Sequence, residues 1–123
     1  KKVTYRRQNK VKVKTYNRGD VFYANLDGVG SEQKGVRPVV IVSNNLNNKN
    51  ANTVTILPIT SKLTKHMIPT HYMVNVDFLS KTSIILAEHI RTIDKNRLER
   101  YIGSFDESHM NNINKIINVQ LGL

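Results

Sequence analysis

The chain has 123 residues, 39% hydrophobic and 23% charged, with a formal net charge of +10 and no cysteine. That length holds one core, and the missing thiols exclude disulfide scaffolds, thiolate metal sites and cysteine nucleophiles. No apolar run nears the ~18 residues of a membrane span, and no apolar stretch with a cleavage site follows the basic start, so a cytoplasmic protein without membrane association is expected.

The charge is unevenly placed. Lys1, Lys2, Arg6, Arg7, Lys10, Lys12, Lys14 and Arg18 stand in the first 18 positions, with no acidic residue among them. The rest of the chain carries eleven basic against nine acidic residues, a net of +2. Residues 1–17 therefore read as a basic N-terminal arm. Such an arm is either a poorly ordered terminus or a contact for a polyanion. Residues 18–123 read as the domain.

In chain order, residues 20–26 alternate and are β-branched and aromatic at the start, which predicts a strand. Residues 27–35 hold three glycines and read as a loop. Residues 37–43 predict a buried strand, with Pro38 confined to its start or to an edge because it has no N–H to donate. Six asparagines between 44 and 52 mark a turn-rich loop with room for one helical turn. Strands are expected at 53–60, at 71–76 and, as one long run, at 83–94. A turn or short helix follows at 94–98, then a strand at 100–105.

The last segment changes period. Met110, Ile113, Ile116, Ile117, Val119 and Leu121 take the three- and four-residue steps of an amphipathic helix. Asp106 suits the N-cap, Ser104 and Glu107 fit the S-x-x-E box, and Gly122 falls where a C-cap glycine belongs. Short strands followed by one helix predict an α+β, mainly β fold, a small bent barrel or sheet with the helix packed on it.

Familiar catalytic signatures are missing from the sequence. There is no G-x-G-x-x-G opening a helix, no Walker loop, no H-E-x-x-H and no G-x-S-x-G, so no cofactor and no metal are expected. A basic enzyme of this kind needs a substrate that brings its own reactivity. RNA does, because its 2′-hydroxyl can attack the adjacent phosphate. The protein then need only activate that hydroxyl, stabilise charge on the phosphoryl oxygens and protonate the leaving 5′-oxygen. Arginine suits the charge role through its planar, always protonated fork, and a threonine hydroxyl adds a neutral hydrogen bond.

The stretch Arg18-Gly19-Asp20-Val21-Phe22-Tyr23-Ala24-Asn25-Leu26, then Gly30-Ser31-Glu32-Gln33, Gly35-Val36-Arg37-Pro38-Val39-Val40-Ile41-Val42-Ser43-Asn44, Ile59-Thr60, Pro69-Thr70-His71 and Glu88-His89-Ile90-Arg91-Thr92-Ile93-Asp94-Lys95 resembles the MazF/PemK family of toxin endoribonucleases. It is closest to the Gram-positive-like branch. The resemblance spans about residues 18–121. It implies an SH3-like barrel with a C-terminal helix, a homodimer, metal-independent cleavage of single-stranded RNA to 2′,3′-cyclic phosphate and 5′-hydroxyl ends, and inhibition by a MazE-type antitoxin.

By the same resemblance Arg37 and Thr60 are the catalytic pair. Ser31, Glu32, Gln33, Lys34, Pro69, Thr70, His71, Glu88, His89 and Arg91 are the RNA-binding set. Glu32 and Glu88 suit acceptance from base amino groups. His71 is read as an RNA contact ahead of a general base, and the base itself is unassigned. Sites containing an A-C-A core are a lead for the recognition sequence, from relatives alone.

The chain departs from the family pattern at Lys34, where glycine is common, in a stretch before Gly30 that is one residue short, and in the basic arm. The competing readings are a CcdB-like toxin that traps gyrase without catalysis and a barrel that binds RNA without cutting it.

Overall fold

A computed structural model describes residues 5–8, 11–30, 32, 35–63 and 66–123, with backbone only through residue 14. The basic arm contributes a two-stranded antiparallel ladder of β1 (Tyr5–Gln8) and β2 (Val11–Lys14), in register from Tyr5↔Lys14 to Gln8↔Val11.

The domain is built on β3 (Asp20–Leu26), β4 (Gly35–Ile41) and β5 (Thr53–Thr60). β6 (His71–Val74), β7 (Ser83–Leu86), β8 (Arg91–Asp94) and β9 (Leu98–Ser104) complete the sheet. Its order is β6-β7-β5-β4-β3-β9, with β8 also paired to β5, and every ladder is antiparallel. No ladder joins β6 to β9 among the described residues, so the barrel is open along that seam. A short helix α1 (Asn45–Asn50) fills the asparagine-rich loop, capped by the Asn44 side chain. The terminal helix α2 (Glu107–Leu121) closes the chain.

The central strands are apolar on both faces because both faces are covered. Phe22, Ala24, Val39, Ile41, Val54, Ile56 and Ile93 form one cluster. Val21, Val40, Leu57, Ile59 and Ile85 form the other, against Met110, Ile113 and Ile116 of α2. Alternate residues of one strand thus enter different cores, which is why these strands read as continuous apolar runs.

Two caps are as the sequence predicts. Asp106 Oδ1 accepts from His109 N–H at 2.9 Å, and Gly122, at φ +71°, ends α2 with its own N–H on Val119 O at 3.2 Å and that of Leu123 on Asn118 O at 2.9 Å. The expected Ser104–Glu107 box does not form. The Ser104 hydroxyl instead donates to Asp20 Oδ1 at 2.7 Å, where it and the Asn17 N–H satisfy a carboxylate that is 0% exposed. A buried carboxyl group outbids a helix end that Asp106 already satisfies.

Three strand expectations need correction. Pro38 lies inside β4, paired with Tyr23 of β3, and not at its first residue. It is tolerated because the β4–β5 ladder begins only at Val39↔Pro58. The strand expected at 71–76 ends at Val74. The run 83–94 is interrupted by the 3-10 turn Ala87–His89. Its two halves pair the same edge of β5, as Ile59↔Ile85 and Ile56↔Arg91. Five residues, 86–90, therefore oppose two, Leu57 and Pro58, and the surplus three leave the ladder like a large bulge. Pro58, with no N–H to donate, sits opposite that excursion.

Candidate active site and nucleic-acid interface

Where β4 and β5 stop pairing, the sheet splits. Beyond Val39↔Pro58 the same register, carried two residues on, would set Arg37 of β4 opposite Thr60 of β5. A cleft of about 340 Å³ occupies this split, lined by Arg37, Gly35 and Pro38 on one lip and by Ile59 and Ser61, which flank Thr60, on the other. Ser80, Lys81 and Ser83 also line it. Arg37 is half-buried and Thr60 is 7% exposed. Thr60 Oγ1 accepts the N–H of Lys62 at 3.1 Å, which fixes the hydroxyl at the strand end. Two cations, Arg37 and Lys81, beside hydroxyls suit one phosphodiester.

Pro58 of β5 borders a second cavity, of about 310 Å³. It is lined by Glu32, Pro58, Glu88, His89, Ile90 and Arg91. The 3-10 excursion puts Glu88 and His89 there by lifting them out of the ladder. Glu32 is held by its own turn, where its N–H donates to Val29 O and its Oε2 accepts from Val29 N–H, both near 3.0 Å. The Arg91 guanidinium donates to the Asp27 carbonyl. Arg97 pairs with the exposed Asp27 carboxylate at 2.6 Å and holds it below the usual carboxylate range.

Glu88 is the hub of this side. Its Oε1 accepts from the Thr70 hydroxyl at 2.9 Å, and its Oε2 lies 2.6 Å from His71 Nε2. Burial pushes the Glu88 carboxyl up, but the hydrogen bonds from His71, its own backbone and Thr70 together hold it below its ordinary value.

The structure thus gathers Glu32, Glu88, His89 and Arg91 in one cavity and ties Thr70 and His71 to Glu88. Arg37 lies on the neighbouring cleft, with Thr60 between two of its lining residues. Pro69 is exposed in the loop leading to β6. Ser31, Gln33 and Lys34 lie outside the described residues. Lys81 was not among the expected residues; it stands between Ser80 and Thr82 in a stretch, 77–82, that carried no predicted element. Among the described residues no group of three or more histidines, aspartates and glutamates could hold a metal ion. No helix there is long and apolar enough to cross a membrane.

Known proteins resemble this chain over most of its length. Residues 17–121 match the family model described as PemK-like, MazF-like toxin of type II toxin–antitoxin systems. A curated relative, Endoribonuclease MazF of Staphylococcus saprophyticus, is 45% identical over 109 residues, covering 86% of this chain and 91% of the relative. A solved mycobacterial endoribonuclease in complex with its cognate antitoxin is 32% identical, with a TM-score of 0.73 over 89% of this chain and 97% of that one. MazF from Deinococcus radiodurans, at 20% identity, shares the fold with a TM-score of 0.77 over 89% and 98% of the two chains.

Proposed function

This chain belongs to the PemK-like, MazF-like toxins of type II toxin–antitoxin systems, and from that premise we propose that it is a sequence-specific, metal-independent endoribonuclease. Its substrate is single-stranded RNA, and its seat of action is the split between β4 and β5. The 2′-oxygen attacks the adjacent phosphorus, the bond from phosphorus to the 5′-oxygen breaks, and the products carry a 2′,3′-cyclic phosphate and a 5′-hydroxyl. The 2′-proton leaves to a base, and a proton is delivered to the 5′-oxygen. Arg37 stabilises the charge that grows on the phosphoryl oxygens, where a preorganised donor is worth most. Thr60 donates a neutral hydrogen bond to the same group.

The observation that carries this reading is the unpaired end of the β4–β5 ladder, where Arg37 and the residues flanking Thr60 line one cationic cleft. Beside it, the cavity of Glu32, Glu88, His89 and Arg91 offers acceptors and donors for base edges. His71 does not serve as general base in this account, because its ring is engaged with Glu88. The basic arm ahead of residue 18 adds long-range attraction for RNA and makes binding salt-dependent. The protein acts in the bacterial cytoplasm as a homodimer, whose two-fold groove is longer than one barrel offers, and a MazE-type antitoxin with an acidic segment occupies that groove.

The test is end-mapping of a long transcript incubated with the protein in EDTA, beside Arg37→Ala. Cuts at one short motif are expected from the unaltered chain and none from the variant, with the same far-UV circular dichroism. Loss of cutting in chelator, normal cutting by Arg37→Ala, or RNA bound but left intact would each contradict the proposal.

A further inference from the structure

His71 was expected among the residues that touch RNA, but its surroundings give it different work. Its side chain is 6% exposed, and Nδ1 is buried without a hydrogen-bond partner. Among the described residues the ring makes one polar contact, Nε2 to Glu88 Oε2 at 2.6 Å. A carboxylate oxygen can only accept, so toward Glu88 the ring presents Nε2 as the donor. The Thr70 hydroxyl donates to the other carboxylate oxygen at 2.9 Å. The Ala87 N–H bonds the Thr70 carbonyl at 3.0 Å, so the strand carrying the donors and the turn carrying Glu88 are locked to each other. A buried nitrogen left without a partner works against folding; the ring is placed for what its other nitrogen does.

The consequence is a carboxylate whose plane, charge and position are fixed from behind. The Glu88 side chain remains 28% exposed and faces the cavity shared with Glu32, His89 and Arg91. The two carboxylate oxygens have about four acceptor positions between them; His71, Thr70 and the backbone of Glu88 itself take three, which leaves one. What remains is a rigid anionic acceptor, which attracts N–H donors and repels carbonyl oxygens. Adenine, cytosine and guanine each carry an exocyclic amino group. Uracil alone has none, and its single imide N–H is flanked by two carbonyls.

We propose that His71 and Thr70 are positioning residues that hold Glu88 as a base selector, excluding uracil from one position of the RNA site. This rests on the ribonuclease reading and adds to it which base edge is read, and through which residues. A site built to satisfy an amino group rejects the base lacking one because the carboxylate is then left facing a like-charged oxygen.

The experiment is deep end-mapping of cuts in one long transcript by the full chain, His71→Ala, His71→Gln, Thr70→Val and Glu88→Gln. The readout is the ratio of cuts with uracil to cuts with any other base at each position of the motif. That ratio is internal, so a general loss of folded protein cancels. The unaltered chain should show one position from which uracil is excluded. His71→Ala, Thr70→Val and Glu88→Gln should raise uracil there at least about fivefold, leaving the other positions unchanged. His71→Gln, which keeps an N–H donor toward Glu88, should restore the exclusion. Specific cutting with no uracil-free position, an unchanged ratio in both His71→Ala and Thr70→Val, or loss of selectivity at all positions together would overturn the clamp while leaving the ribonuclease reading in place. Absence of any cutting by the unaltered chain would overturn both.

Discussion

Arg37 and Thr60 sit at the ends of two strands that pair up to Val39↔Pro58 and then part. The shape of each donor matters as much as its presence. A guanidinium presents two parallel N–H bonds to two phosphoryl oxygens, whereas an ammonium is a compact point charge. Arg37→Lys should therefore leave the fold intact and lower kcat by about 100-fold, measured by single-turnover cleavage of a mapped oligonucleotide. Near-normal turnover in the lysine variant would mean that charge alone suffices. Glu88 supplies a second test, of stability. Its folded-state pKa is depressed below the ordinary value of 4.5, so the unfolded chain binds the proton more readily. The stabilisation is present above pH 4.5 and is lost as the pH falls through the depressed folded value. Urea titrations of the protein and of Glu88→Gln should differ most at neutral pH and converge in acid. A gap that widens in acid would show the opposite sign.

At the level of elements, α2 is held by its caps and by one apolar stripe. Asp106 satisfies the His109 N–H, so Asp106→Ala should cost about 1 kcal/mol, seen as a drop in Tm of about 4 °C. An unchanged Tm would mean that the packing of Met110, Ile113 and Ile116 holds the helix start by itself. This helix was legible in the sequence from period, cap and terminal glycine alike. So were Asp20–Leu26 and Thr53–Thr60, whose observed bounds are the expected ones. The turn Ala87–His89 was not, because Ile84, Ile85, Leu86 and Ala87 are followed by Ile90 and Ile93 with no glycine or proline between them to mark a break. The break comes from tertiary pairing, in which both halves compete for one edge of β5 opposite a proline. Ser104 misled for the same reason: its partner, Asp20, is 84 positions away. The proposal of Arg37 and Thr60 as a catalytic pair comes from motif resemblance, and chain spacing alone would have left Arg37 an ordinary arginine beside a strand. The His71–Glu88 contact spans 17 positions with no periodic signal, so it emerges only once β6 and β7 are paired.

For the whole molecule, the residues lining the two cavities fit a division of labour under the proposed function. The cationic cleft with Arg37 and Lys81 suits the phosphodiester, and the cavity with Glu32 and Glu88 suits base edges. A dimer would extend both into one trough, so specific activity should fall on dilution below the dimer dissociation constant. Constant activity across that range would assign the whole groove to one protomer. Under either outcome the proposed reaction leaves the chemistry to the substrate's own ribose, with the protein supplying grip and charge. The most direct measurement is cleavage, in EDTA, of one oligonucleotide containing the mapped site, beside the same oligonucleotide with a single 2′-deoxyribose at the cut. The account predicts that only the all-ribose strand is cut, with a 2′,3′-cyclic phosphate on the upstream product by mass spectrometry. Comparable cutting of the deoxy strand, or an upstream product ending in a 3′-hydroxyl, would contradict it.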